Sequence, residues 1–282
     1  MILVTGATGN IGTELVKQLA ATGQPLRVVT RSEAKVSHLD PRIERVIGDL
    51  HDLSIVRKAL RGVERLFLLP VLFNNNHSAD RLLLQEAKQT GVKHVVMISS
   101  AHVRWDDKGI GGLHREKEQL VEQTGISRTF LRPDAFMSNV LQWIPTIKSQ
   151  SKVFNPAVDG KFAPISPQDI ASVAALALTS SDDEDKIYDL TGGQLLSAHD
   201  QVRILSGVLN KPIQCIDIPI EAGLEQFKAA GLPQRVVDGL AMVWARLREG
   251  KATFQTDQFQ DLTGKSPQTF ETWCQEHKFA FA

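Results

Sequence analysis

Gly6-Ala7-Thr8-Gly9-Asn10-Ile11-Gly12 stands between a short apolar run, Met1-Ile2-Leu3-Val4-Thr5, and a segment whose Leu15, Val16 and Leu19 share one helical face. Glycines at this spacing suit a phosphate cradle. One permits the tight turn from strand to helix, one lets the backbone approach a pyrophosphate, and one lets the helix pack closely on the strand. The unpaired amides at the helix start then face the anion, whose charge the helix dipole favours. Gly6, Thr8, Gly9, Asn10, Ile11 and Gly12 are the candidate contacts, and a dinucleotide is the ligand they imply. Arg31 follows 19 positions after Gly12, at the end of the next apolar run. An acidic residue there pairs with the ribose hydroxyls of NAD, whereas a basic one accommodates the 2′-phosphate of NADP. Arg31 therefore predicts NADP(H) over NAD(H), with Ser32 and Lys35 available to extend the phosphate site.

The elements that must carry these residues alternate. Strands are expected at Ile2 to Thr5, Leu26 to Thr30, Glu44 to Ile47, Arg65 to Leu69, His94 to Ser99 and Arg128 to Leu131. Helices with an apolar stripe fall between them, at Thr13 to Ala21, Leu53 to Leu60, Ser78 to Thr90 and Leu113 to Thr124. This alternation predicts a Rossmann-type α/β fold, a doubly wound parallel sheet. Two long connections, Pro70 to His77 and Ala101 to Gly112, follow the carboxyl ends of strands, where open α/β sheets bind ligands. Beyond residue 140 the pattern turns irregular, with a helix from Ile170 to Thr179 started by Ser166 or Pro167, a strand at Lys186 to Leu190, a helix near Ala198 to Leu209 and a strand at Ile213 to Ile218. The expected division is a dinucleotide-binding domain over 1–150 and a smaller mixed α/β lobe over 151–282, with a return of 186–190 to the main sheet left open.

Composition narrows the function. The 282 residues suffice for one large α/β core or for a core with a small lobe. With 32 basic and 32 acidic residues the formal charge is zero, which gives no general attraction to nucleic acid or to an anionic membrane. No apolar run approaches the roughly 20 residues of a membrane span, and the first strand begins at Met1 without the layout of a signal peptide, so a cytoplasmic protein is expected. Cys215 and Cys274 lie in no metal or redox spacing, and no metal is expected.

Further stretches carry a resemblance. Val4-Thr5-Gly6-Ala7-Thr8-Gly9 with Gly12, Val29-Thr30-Arg31, Gly48-Asp49-Leu50, Val96-Met97-Ile98-Ser99-Ser100, Leu131-Arg132-Pro133 with Phe136 and Asn139, Tyr188-Asp189-Leu190-Thr191-Gly192, and Leu262-Thr263-Gly264 with Pro267 and Phe270 occur in this order. Together they resemble the NmrA-like atypical short-chain dehydrogenases/reductases, in the group with quinone oxidoreductases and triphenylmethane dye reductases. The glycine spacing, G-x-x-G-x-x-G, is that of the extended and atypical branches. The resemblance covers nearly the whole chain. It implies that Asp49 and Leu50 contact adenine, that Leu68, Leu69 and Pro70 line the nicotinamide-ribose side, that Ser99 stands where the usual catalytic serine does, and that Pro133 and Phe136 pack near the nicotinamide.

A departure accompanies the match. Short-chain dehydrogenases use a Tyr-x-x-x-Lys pair, in which lysine lowers the tyrosine pKa and tyrosine protonates the substrate oxygen. The single tyrosine here, Tyr188, lacks such a lysine. The corresponding helix reads His114-Arg115-Glu116-Lys117-Glu118, with His114 at the tyrosine position and Glu118 at the lysine position. His114, with an ordinary pKa of about 6.5, is the candidate proton donor, and Glu118 is placed to orient its ring. Lys117 either reaches the cofactor or lies in solvent. Hydride delivery to a simple ketone makes a strongly basic alkoxide and calls for an acid, whereas a conjugated acceptor spreads the electron pair and needs mainly proximity. The expected function is an NAD(P)H-dependent oxidoreductase of quinone-like or other conjugated small molecules, as a monomer or homodimer. The alternatives are an NADP(H) redox sensor acting on a regulatory protein partner, and a reductase of one specific metabolite.

Overall fold

The computed structural model describes residues 1–70, 77–105, 108–180 and 183–281. The first half alternates as β1 (Ile2–Val4), α1 (Asn10–Ala21), β2 (Leu26–Thr30), β3 (Glu44–Ile47), α2 (Leu53–Leu60), β4 (Arg65–Leu68), α3 (Ser78–Thr90), β5 (His94–Ile98), α4 (Ile110–Glu122) and β6 (Ser127–Pro133). Then follow α5 (Ile144–Gln150), β7 (Lys152–Asn155), α6 (Pro167–Thr179), β8 (Lys186–Leu190), α7 (Ala198–Leu209), β9 (Gln214–Asp217), α8 (Ile220–Ala229), α9 (Gln234–Arg248), α10 (Gln258–Thr263) and α11 (Phe270–Phe281).

Seven strands form the main sheet, in the order β3-β2-β1-β4-β5-β6-β8. Parallel registers run from β2–β3 through β5–β6, and Val4 of β1 lies between Val28 of β2 and Phe67 of β4. This is the doubly wound order, and it reverses between β1 and β4, beside the loop that leaves β1. Along one layer Leu3, Leu66, Leu68, Val95, Met97 and Phe130 of the strands pack with Val56, Leu60, Leu83 and Val121 of the helices. β7 and β9 form a separate parallel pair; β9 lies within the strand expected at Ile213 to Ile218, whereas β7 was not expected, because four residues of weak alternation need a partner to become a strand.

The described residues fall into two compact units. One comprises 1–103, 113–132 and 170–188, the other 104–112, 133–169 and 189–282. These are discontinuous, unlike the blocks 1–150 and 151–282 read from the sequence, because the chain returns after α6 to place β8 in the main sheet. The second unit has its own core, in which Met137, Val140, Trp143, Leu205, Phe270 and Trp273 are buried.

The connection expected over Ala101 to Gly112 is not one open loop. Ala101–Trp105 is a 3-10 turn, and α4 begins at Ile110. Gly111 and Gly112 therefore sit in a first helical turn, where amides lack helical partners in any case. The other long connection falls largely on residues 71–76, outside the described residues. Ser166 caps α6, its hydroxyl accepting the Asp169 amide at 3.0 Å, with Pro167 as the first helical residue.

Candidate functional site

The three glycines of the β1–α1 loop divide their work. Gly6 has φ +64°, a left-handed conformation that a side chain strains, and its carbonyl accepts the Gly9 amide at 3.0 Å to close the turn. A Cβ on Gly12 would lie 2.1 Å from the Gly6 carbonyl oxygen, so Gly12 exists for close packing of α1 on the strand end. Gly9 is different. Its backbone is extended, and a Cβ there would meet nothing nearer than the Gly6 oxygen at 3.4 Å. Among the described residues neither conformation nor packing requires Gly9, which leaves room over the start of α1, where the N-cap position supplies no side-chain hydrogen bond to the amides. Thr8 and Asn10 are exposed at this opening, while Ile11 is buried beneath it. The arrangement fits a diphosphate. Thr5 pins the neighbouring strand end, its hydroxyl donating to the Phe67 carbonyl at 3.1 Å and accepting the Leu69 amide at 2.9 Å. Leu68 and Pro70 are buried, with Leu69 half-buried.

Arg31 is exposed immediately beyond β2. The Asp49 carboxylate accepts the His51 amide at 2.9 Å and pairs with the His51 ring at 2.7 Å. These bonds hold it below the usual carboxylate range against a small burial effect, and the Arg31 cation acts in the same direction. Leu50 packs partly against the core.

Around α4 the structure revises the sequence reading. Glu118 is fully buried and does not orient His114. Its oxygens take the Ser99 hydroxyl at 2.7 Å, the Arg132 guanidinium at 2.8 and 2.7 Å, and Arg115 at 3.0 Å. Burial would raise this carboxyl, but bonds from Arg132 and Ser99 outweigh it and keep it ionised. His114 is only 7% exposed, and burial, aided by His102, pushes its pKa down to about 4 despite Glu118. It is therefore a neutral ring at physiological pH and not the donor expected from an ordinary value near 6.5; its Nδ1 has no hydrogen-bond partner among the described residues. Lys117 does not lie in solvent. It is 1% exposed and forms a buried ion pair with Asp80 of α3. Tyr188 donates to Asp183 at 2.6 Å, and burial with that bond raises its phenol further from neutrality.

In the second unit, Pro133 is buried and Phe136 half-buried, the latter bridged to Ile165. Asp134 between them escaped sequence analysis, since an aspartate after a proline shows no sign of burial. Burial raises its carboxyl to about 6, against bonds from the Ala163 and Ala135 amides and a smaller influence of Arg104. The Arg104 guanidinium carbon lies over the Phe254 ring, 3.2 Å from its centre, and that of Arg246 lies over Trp105 at 4.8 Å. Among the described residues no cluster of three or more His, Cys, Asp or Glu side chains is placed to hold a metal, and no helix is long and apolar enough to cross a membrane.

Comparison with known proteins agrees with the loop. A family model described as NAD(P)H-binding matches residues 6–181. The chain is 34% identical to the (4-alkanoyl-5-oxo-2,5-dihydrofuran-3-yl)methyl phosphate reductase of Streptomyces griseus and 31% identical to the NAD(P)H azoreductase of Xenophilus azovorans, in each case over 100% of this chain and 99% of the relative. Among solved structures, the NADPH-dependent quinone oxidoreductase of Escherichia coli in complex with NADPH superposes with a TM-score of 0.85 at 26% identity, covering 99% of this chain and 100% of that one. The chain thus belongs to the NAD(P)H-binding family, within the NmrA-like atypical short-chain dehydrogenases/reductases that include quinone and azo reductases.

Proposed function

We propose that this protein is an NADPH-dependent reductase of quinone-like and other conjugated acceptors that works without a tyrosine–lysine acid pair. The observation that carries the reading is the Ser99–Glu118–Arg132 network. A serine hydroxyl has one proton, and that of Ser99 goes to Glu118. Toward a ligand the Ser99 oxygen can accept but not donate, so it cannot polarise a substrate carbonyl as a catalytic serine does. His114 is neutral through burial, and Tyr188 is bound to Asp183. The Ser99 proton, an imidazolium at His114 and the Tyr188 phenol proton are thereby withheld from a forming alkoxide, whereas a conjugated acceptor forms a weakly basic product that solvent protonates.

Quinone, azo and unsaturated-furanone reductases among the similar proteins share conjugated substrates, which supports the same class here. Gly6, Thr8, Gly9, Asn10, Ile11 and Gly12 would hold the diphosphate, Arg31 the 2′-phosphate, and Asp49 with Leu50 the adenine. Leu68, Leu69, Pro70 and Ser99 would border the nicotinamide side, Ser99 as an acceptor; for Pro133 and Phe136 the resemblance alone supports that role. A bound reduced nicotinamide supplies the hydride, and the protein's part is to orient a flat acceptor against it.

The test is NADPH oxidation with quinones, azo dyes and unsaturated lactones beside simple ketones. Turnover of the conjugated compounds is expected, with His114→Ala reducing it by less than about 10²-fold, the lower end of general-acid contributions. Turnover of simple ketones with steep dependence on His114 would overturn the reading. If no acceptor reacts while NADP⁺ and NADPH bind with different affinities, a redox sensor with a protein partner replaces it.

A further inference from the structure

Arg31 and Asp49 leave neighbouring strands side by side. Thr30 of β2 lies opposite Ile47 of β3, and the Gly48 amide donates to the Thr30 carbonyl at 2.9 Å, so the residues that follow each strand emerge at one corner of the sheet. β2 in turn borders β1, whose end carries the glycine loop, and all of these residues belong to the same compact unit. An acid beside the ribose is the group that favours NAD in such folds, and an acid paired with Arg31 would take the guanidinium from a phosphate. Asp49 does neither. Its carboxylate feels the Arg31 cation, yet Oδ1 is taken by the His51 amide at 2.9 Å and by Nδ1 of the His51 ring at 2.7 Å. These bonds hold Asp49 ionised and therefore acceptor-only, so the proton of the ring contact belongs to Nδ1 of His51. The Arg31 guanidinium is exposed and, among the described residues, makes no hydrogen bond or close ion pair. An uncompensated carboxylate at this corner would compete for the guanidinium and repel a phosphate; a donor on that carboxylate weakens both effects.

We propose that His51 is a positioning residue for NADP(H) selectivity: by holding the Asp49 carboxylate on its ring Nδ1–H, it keeps that acid off Arg31 and leaves the guanidinium open to the 2′-phosphate. His51 acts through Asp49 and touches no ligand itself. The inference rests on the assignment of Arg31 to the 2′-phosphate, and its test is a binding measurement that requires no acceptor and no turnover.

Calorimetry would compare adenosine 2′,5′-bisphosphate with 5′-AMP, and NADPH with NADH, for wild type, His51→Ala, His51→Gln, Arg31→Ala, Asp49→Asn and the double variant Asp49→Asn, His51→Ala. Each pair of ligands differs only in the 2′-phosphate. His51→Ala should weaken the bisphosphate and NADPH roughly 2- to 5-fold, the scale of an exposed charge pair, and leave 5′-AMP and NADH unchanged. His51→Gln should retain most of the affinity, because its amide still donates to the carboxylate. In the Asp49→Asn background, where no charge competes for Arg31, His51→Ala should no longer alter the preference for the 2′-phosphate. An equal loss for both members of a pair would make the role of His51 merely structural and overturn the proposal. The same selective loss in the Asp49→Asn background would also overturn it, by placing His51 directly on the phosphate. Bisphosphate binding that depends on Arg31 but not on His51 would reject the proposal and leave the assignment of Arg31 standing. Binding that ignores Arg31 would reject that assignment and the proposal with it.

Discussion

Valine at Gly12 and valine at Gly9 should fail in different ways. At Gly12 the new Cβ collides with the Gly6 carbonyl at 2.1 Å, so even Gly12→Ala should cost about 1–3 kcal/mol in urea denaturation, with valine worse. At Gly9 the protein has room, so Gly9→Val should melt near the wild-type temperature and yet lose NADPH binding in calorimetry. A folded Gly9→Val protein with normal affinity would show that the loop is only a turn. Arg31→Ala should lower NADPH affinity by about 1.5–3 kcal/mol, or one to two decades, and leave NADH nearly unchanged. Equal wild-type affinity for the two cofactors would refute that role. These residues were legible in the sequence because backbone turns and charge at a strand end are local properties. His114 was legible as a position only: its expected protonation was wrong, since desolvation depends on what packs around the ring.

Two contacts fasten α4 to the start of α3, Lys117 to Asp80 and Glu116 to the His77 ring at 3.2 Å. Removing one partner of the buried pair strands the other charge, so Lys117→Met should destabilise by about 3–5 kcal/mol. The double variant Lys117→Met, Asp80→Leu should recover most of that in denaturant titrations and still bind NADPH. Lost cofactor binding in a stable double variant would instead place Lys117 at the cofactor. Periodicity placed β2, β3, α2, α3, β8 and α7 at the expected residues and several other elements within three residues of them. The early start of α4 and the strand β7 did not follow from it, because a glycine-rich first turn and a short weakly alternating segment carry little local signal and are settled by tertiary partners.

For the molecule as a whole, two desolvated groups, His114 and Asp134, should tilt stability against pH in opposite directions. His114 titrates at about 4 when folded and near 6.5 when unfolded, so the unfolded chain binds the extra proton; the contribution is full above 6.5 and is lost as pH falls toward 4, about 3 kcal/mol in all. Asp134 titrates at about 6 when folded against 3.8, so the folded chain holds the proton; its contribution is full below 3.8 and is lost as pH rises through 6. In urea titrations from pH 4 to 7, Asp134→Asn should leave stability rising more steeply with pH than wild type, and His114→Gln should leave it falling. Profiles parallel to wild type would refute both assignments. The sequence by itself determined the sheet's alternating elements, the glycine loop, the cation at Arg31 and the absence of a tyrosine–lysine pair, because turn chemistry, periodicity and residue identity are written locally. Only the tertiary structure decided that Glu118 takes the Ser99 proton, that Lys117 is bound to Asp80, that His114 is neutral and that the half-buried Asp134 carboxyl is desolvated, because charge state and hydrogen-bond partnership are set by desolvation and by neighbours distant in the chain.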